Sequence, residues 1–173
     1  MHGQIQTFYN NLAAQYDKLF LNWQDTTRQQ AEILEKIFKS NGYDCAANIL
    51  DCACGIGTQA DFHTLSDTFS EKFDVIIAMD NALPHMLTAK DLAAAIKSIV
   101  NQIEQNGIFV ASIRDYDSLL DKKPPYSPPY IHKTDEGQRV SFQTWEWKDE
   151  NYKLTQYIVE DEESLQVSKF ECE

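Results

Sequence analysis

Asn48-Ile49-Leu50-Asp51-Cys52-Ala53-Cys54-Gly55-Ile56-Gly57-Thr58 reads as a short buried strand running into a tight turn. Ile49 and Leu50 are apolar, Asp51 is an acid, and small residues then lead to Gly55-Ile56-Gly57. Glycines at such a turn permit positive φ and let a ligand approach the backbone closely. In α/β proteins a turn of this kind lies at the carboxyl end of the first strand, where nucleotide-like ligands bind. An α/β fold organised around this turn is the first expectation.

On the C-terminal side, Phe73-Asp74-Val75-Ile76-Ile77-Ala78-Met79 is a continuous apolar run, as in a parallel strand buried on both faces. Asp80-Asn81 follow at its carboxyl end, where binding residues tend to sit. Thr88 is expected to cap a helix from about Ala89 to Glu104, with Leu92, Ile96, Ile99, Val100 and Ile103 facing inward. Asn106-Gly107 ends that helix and leads into a third strand, Ile108 to Ile113, with Arg114-Asp115-Tyr116-Asp117 at its end. Strand, helix and strand in this order form a βαβ unit, right-handed by default. Pro124, Pro125, Pro128 and Pro129, with Tyr126 and Tyr130, then predict a stiff extended loop. Three β-rich runs follow, Val140 to Trp147, Tyr152 to Val159 and Leu165 to Cys172. Turns at Asp149-Glu150-Asn151 and Asp161-Glu162-Glu163-Ser164 separate them, which predicts an antiparallel meander.

On the N-terminal side, Phe8 to Lys39 reads as helical. From Phe8 to Phe20, Leu12, Tyr16, Leu19 and Phe20 share one face. Asn22-Trp23-Gln24-Asp25 breaks the pattern, and Asp25 or Thr26 is expected to cap a second helix from Thr27 to Phe38. Ala31, Leu34, Ile37 and Phe38 would face inward, and Asn41-Gly42 stops the helix. Amphipathic core packing accounts for Tyr9, Tyr16 and Trp23, and a ligand lid is the alternative.

Composition narrows the function. The 173 residues suit one domain, with 1–47 helical, 48–121 an α/β core and 122–173 a β-rich extension. Lys and Arg number 15 against 27 Asp and Glu, a net charge of −12. That balance argues against nucleic acid and anionic membranes as partners, since both are bound through a basic face. No apolar run approaches a membrane span, and the N-terminus lacks the pattern of a signal peptide, so a cytoplasmic location is expected. Cys52 and Cys54 form a C-x-C pair, but neither Cys45, Cys172 nor clustered histidine completes a zinc set, so no metal is expected.

Together these segments resemble class I S-adenosylmethionine-dependent methyltransferases, most closely the glycine/sarcosine N-methyltransferase-like group. Four stretches carry the resemblance, in the family's order: the Tyr9 to Arg28 helix with its Tyr-Asp-x-Leu-Phe run; Leu50 to Thr58, with Ala53 where many members have the first glycine; Phe73 through Asn81 to His85; and Arg114-Asp115-Tyr116-Asp117. The resemblance implies a Rossmann-like methyltransferase sheet, S-adenosylmethionine as cofactor, and a small amine or amino acid as methyl acceptor. It implies that Gly55 and Gly57 approach the methionine part of the cofactor and that Asp51 anchors it. Asp61 and Phe62 match the pair at the adenine, with Met79 and Asp80 lining the same wall. Tyr9, Tyr16 and Arg28 become lid candidates. Asn81 and Arg114 match the positions that hold the acceptor, Arg114 pairing with its carboxylate. Each has a plainer alternative: Asp51 can cap a helix, Arg114 can pair with Asp115 or Asp117, and His85 is either a base for the amine or a packing residue.

The resemblance also exposes a gap. A complete fold of this family places two further β/α units between the glycine turn and the strand at Phe73, and one such unit takes roughly 30 residues. Only Thr58 to Lys72 intervene here, and the acid that holds the cofactor ribose has no clear counterpart. The family's last helix and closing strands are also expected to be missing. The sheet is therefore expected to be shortened, its cofactor affinity weak or dependent on a second chain, and a homo-oligomer is possible. A non-catalytic module of the same architecture is the runner-up. In another arrangement, Gln59 to Thr68 forms one helix that covers the exposed sheet face.

Overall fold

Phe73–Ala78 is the central strand of a three-stranded parallel sheet, and its burial explains the apolar run. A computed structural model describes residues 2–52, 62, 65–86, 88–133, 135, 137–161 and 164–172. In chain order its elements are α1 (His2–Leu12), a 3-10 turn (Ala13–Leu19), α2 (Trp23–Ser40), β1 (Ile49–Asp51), α3 (Leu65–Thr68) and β2 (Phe73–Ala78). A 3-10 turn (Leu83–His85), α4 (Ala89–Gln102), β3 (Ile103–Ala111) and α5 (Tyr116–Lys122) follow, then β4 (Tyr130–Lys133), β5 (Gln138–Lys148), β6 (Asn151–Asp161) and β7 (Leu165–Cys172). The chain divides into two compact units, residues 35–116 and residues 1–34 with 117–173.

Within residues 35–116, β2 lies between β1 and β3, both parallel to it. Leu50, Cys52, Phe62, Leu65, Phe73, Ile76, Ala78, Ala82, Ala95 and Ile99 form the core. The side-chain oxygen of Thr88 accepts the Asp91 N–H, which is the expected cap of α4. Two expectations for α4 fail. It ends at Gln102, two residues early, and the face it buries is Ala95, Ser98, Ile99 and Gln102, leaving Leu92, Ile96 and Val100 exposed. Gln102 explains the offset, because its amide donates to the carbonyls of Leu65 (3.1 Å) and Phe69 (2.7 Å) and closes the carboxyl end of α3. A buried helix end without such a partner is costly. Small Ala95 and Ser98 occupy the same buried stripe. α3 spans Leu65–Thr68 and Phe62 sits in a turn; the other residues of the single helix expected from Gln59 to Thr68 lie outside the described residues.

At the start of β3 the register jumps, from Phe73 opposite Ile103 to Val75 opposite Ile108. Asn106, with φ 88, carries this irregularity inside the strand. A side chain on Gly107 would lie 2.9 Å from the Asp74 carbonyl and 3.0 Å from that of Glu104, so only glycine fits.

The other unit is an antiparallel sheet, β4-β5-β6-β7, paired in sequence order as the meander predicts. β4 begins at Tyr130, the last residue of the expected extended loop, and is a strand beyond the three β-rich runs. It forms because the proline segment before it is held along β5: Trp147 donates its indole N–H to the Pro124 carbonyl, and the Trp145 N–H reaches that of Pro125. Phe8 and Leu12 of α1 bury against Ile158, with Tyr9, Tyr16, Leu19, Leu154, Phe170 and Cys172 packed around them. The expected helix from Phe8 to Phe20 tightens to 3-10 geometry after Leu12. In a 3-10 turn residues three apart align, which places Tyr16 and Leu19 in one row. The Lys18 ammonium meets Glu160 at 2.7 Å, and Arg139 donates to the Phe20 carbonyl at 3.1 Å.

The α2 helix starts at Trp23, capped by Asn22, whose side-chain oxygen accepts the Asp25 N–H, and not by Asp25 or Thr26. It buries Leu34, half-buries Ile37 and Phe38, and leaves Ala31 exposed. Its end follows expectation. Gly42 adopts φ 86, and the Tyr43 N–H bonds back to the Phe38 carbonyl.

Candidate functional site

The carboxyl ends of β1, β2 and β3 bring together Asp51, Met79-Asp80-Asn81 and Ser112 to Tyr116. The Cys52 N–H donates to the Ile77 carbonyl (2.8 Å), and the Ser112 N–H to that of Ala78 (3.1 Å), so pairing continues to the sheet's rim. There β2 turns sharply. Asp80 (φ 54) and Asn81 (φ 69) are consecutive left-handed residues, and the Ala82 N–H closes the turn onto the Met79 carbonyl. Asp and Asn tolerate this conformation better than other non-glycine residues, and such backbone clusters at functional sites. Ser112 secures the turn: its hydroxyl accepts the Asp80 N–H (2.8 Å) and its carbonyl accepts that of Asn81 (3.1 Å).

The Asn81 side chain points into the next segment of chain. Its Oδ1 accepts the Arg114 backbone N–H (3.1 Å) and the Tyr116 hydroxyl lies 3.1 Å away, while Nδ2 meets that hydroxyl at 2.8 Å. The Arg114 N–H fixes which end of the amide faces it, because only the oxygen can accept. Tyr116 is the residue that sequence reasoning missed. It stands in the Arg114-Asp115-Tyr116-Asp117 stretch, but its partner is 35 positions away.

Two electrostatic features mark the rim. Burial raises the Asp51 carboxyl above its ordinary range, and the charge of Asp80 adds to the rise. Asp51 as a residue keeps access to solvent, while its carboxyl group is partly enclosed. Burial lowers the His85 imidazole below its ordinary value, helped by the Arg114 guanidinium. The rim thus holds a carboxyl that feels a second carboxylate and an imidazole that feels a guanidinium. It can attract a cationic group at Asp51 and Asp80, and an anionic one at Arg114.

Other sequence-predicted residues fall elsewhere. Phe62 is 4% exposed and belongs to the core of its unit. Tyr9 and Tyr16 pack in the cluster on the antiparallel sheet, and Tyr16, Phe20 and Trp23 form an aromatic group with ring centroids 4.8 to 5.8 Å apart. Arg28 is exposed and pairs with Asp25 at 3.5 Å. Gly55, Gly57 and Asp61 lie outside the described residues. Among the described residues no cluster of His, Cys, Asp and Glu could hold a metal ion, and no helix is long and apolar enough to cross a membrane.

No protein-family model matches the chain. Over 64 residues it is 30% identical to the glycine/sarcosine N-methyltransferase of Parasynechococcus marenigrum (strain WH8102), a stretch that is 37% of this chain and 23% of that protein. Among solved structures it is similar to an S-adenosylmethionine-dependent methyltransferase from Clostridium acetobutylicum ATCC 824. The TM-score is 0.63 at 16% identity, covering 94% of this chain and 79% of that one. Streptomyces venezuelae DesVI gives a TM-score of 0.66 at 13% identity over 99% and 81% of the two chains. The sugar N-methyltransferase KedS8 from Streptoalloteichus sp ATCC 53650 gives 0.62 at 12% identity over 82% and 70%. The chain therefore has the Rossmann-like α/β fold seen in these methyltransferases.

Proposed function

We propose that the chain is an S-adenosylmethionine-dependent methyltransferase acting on a small amine or amino acid of the glycine/sarcosine kind. The observation that carries this reading is the charged set at the sheet's rim, where Asp51 feels the charge of Asp80 and His85 that of Arg114. The cofactor supplies a methyl group on a sulfonium and also bears an α-ammonium, and a pair of carboxylates that repel each other is relieved by such cations. Asp51 and Asp80 are the residues that would hold it, with Met79 beside them. Arg114 would take the acceptor's carboxylate as a fork of donors. The attacking amine has to be neutral, and His85, kept uncharged by burial, would be a weak acceptor for its proton because burial and Arg114 disfavour the charged imidazole. Methyl transfer is an in-line displacement, so alignment and exclusion of water are the protein's main contributions. Methyl transfer from labelled cofactor to glycine, sarcosine or dimethylglycine tests this reading. Transfer that Arg114→Ala abolishes supports it, and no transfer to any of the three removes it.

The short middle is part of the proposal. In a doubly wound sheet the first strand neighbours the fourth, and the second and third lie on its other side. A chain without those two units pairs its first strand with the next remaining one, as β1 pairs with β2 here. Its other edge would then be bare, and Ile49 of β1 is 42% exposed. The apolar stripe Leu92, Ile96 and Val100 on α4 is likewise uncovered. Bare strand edges and apolar stripes favour association, which supports a homo-oligomer and a cofactor site weakened without it. A strictly monomeric chain at high micromolar concentration would remove this element of the proposal.

A further inference from the structure

The geometry points to Tyr116 as a positioning residue: through Asn81 its hydroxyl fixes the chain at Arg114, and with it the place where the guanidinium stands. This inference rests on the reading of Arg114 as the group that holds the acceptor.

Between Ala111, the last residue of β3, and Tyr116, the first of α5, the chain is neither strand nor helix. Four residues, Ser112 to Asp115, carry it across the rim, and Arg114 is the third of them. A segment without ladder bonds takes its conformation from the bonds its backbone makes elsewhere. Ser112 is tied to β2 by its N–H and to the turn after β2 by its carbonyl and its hydroxyl. The Arg114 N–H is tied to the Asn81 Oδ1. That amide is itself free to rotate about its side chain unless a second group holds it. Tyr116 is that group, because its hydroxyl meets both ends of the amide, at 2.8 and 3.1 Å. One phenol thus closes a ring from β2 through Asn81 to Arg114 and on to the start of α5. Asn81 in turn cannot swing outward, since its turn backbone is bonded to Ser112. A long, flexible arginine pays a large entropic cost to hold one geometry, and a fixed backbone beneath it reduces that cost.

Tyr116→Phe removes the hydroxyl and keeps the ring. The expected result is a rise of about three- to tenfold in KM for the acceptor, with kcat at saturating acceptor and the affinity for S-adenosylmethionine close to wild type. A second readout needs no turnover. The Arg114 guanidinium is one of the two causes that hold the His85 imidazole below its ordinary value. When Arg114 is loosened, the His85 titration followed by NMR moves upward, toward that of Arg114→Ala. Should Tyr116→Phe not fold, Asn81→Ala cuts the same link from its other side, and its His85 titration is expected to move upward in the same way. Unchanged acceptor KM with an unchanged His85 titration in a folded variant overturns the inference. Failure of the wild-type chain to methylate any acceptor removes the functional reading instead, and the His85 titration still decides whether Tyr116 positions Arg114.

Discussion

A carboxylate at the end of β1 costs the fold something. Asp51 holds its proton more tightly when folded than when unfolded, because burial and Asp80 disfavour its charge. Stability from this group is therefore highest below the ordinary carboxylate range and falls as pH rises through the elevated folded value. Asp51→Asn is expected to stabilise the chain at pH 7, by at most about 1 kcal/mol because water screens the pair, and so to raise its melting temperature, with the gain shrinking toward pH 4. The same variant is expected to lose cofactor binding, and thermal melts with and without S-adenosylmethionine check both halves. His85 runs the other way. Its lowered imidazole means the unfolded chain binds the proton more readily, so stability falls as pH drops below 6.5 toward the folded value. His85→Gln is expected to flatten that part of the pH–stability curve, which denaturant melts between pH 5 and pH 7.5 would reveal. The places of Asp51 and Arg114 at the carboxyl rim of the sheet were legible because each stands at the end of a recognisable strand. Tyr116 was not, since its role depends on a partner that only the sheet's register brings close.

At the scale of elements, Gly107 is the position least able to change. A methyl group there would press on two backbone carbonyls, and backbone yields less readily than side chains. Gly107→Ala is expected to destabilise the chain by about 1–3 kcal/mol, measured by denaturant unfolding, whereas Gly42→Ala meets no atom and suffers only its positive φ. Losing the cap through Asn22→Ala is expected to cost about 1 kcal/mol, while Thr26→Ala, which removes only an exposed hydroxyl bond to the Asn22 carbonyl, costs less. The strands were legible because β2 is apolar but for Asp74 and β5 to β7 are β-rich runs separated by turn signals. The buried face of α4 was not. Periodicity marked Leu92, Ile96 and Val100, yet a glutamine amide that satisfies the end of α3 decides which way the helix turns. Hydrophobic pattern cannot register such a polar demand. The 3-10 turn at Ala13–Leu19 escaped for a related reason, because Tyr16 and Leu19 fit either helical period until packing against Ile158 selects one.

At the scale of the whole molecule, a net charge of −12 opposes association, and the bare apolar stripe on α4 favours it. Ile96→Glu with Val100→Glu is expected to abolish concentration-dependent self-association in sedimentation, with little effect on folding, because both side chains already face solvent. The short connection between β1 and β2 was visible as a count of residues; its outcome in the sheet became visible only from the pairing of the two strands. The central claim is that the rim of this sheet is an S-adenosylmethionine site anchored by Asp51. Calorimetric titration of the cofactor into the wild-type chain and into Asp51→Asn tests it most directly. Saturable binding, weaker than micromolar in the wild type and absent from the variant, is the predicted result. No binding to the wild type, or equal binding to both, would contradict it.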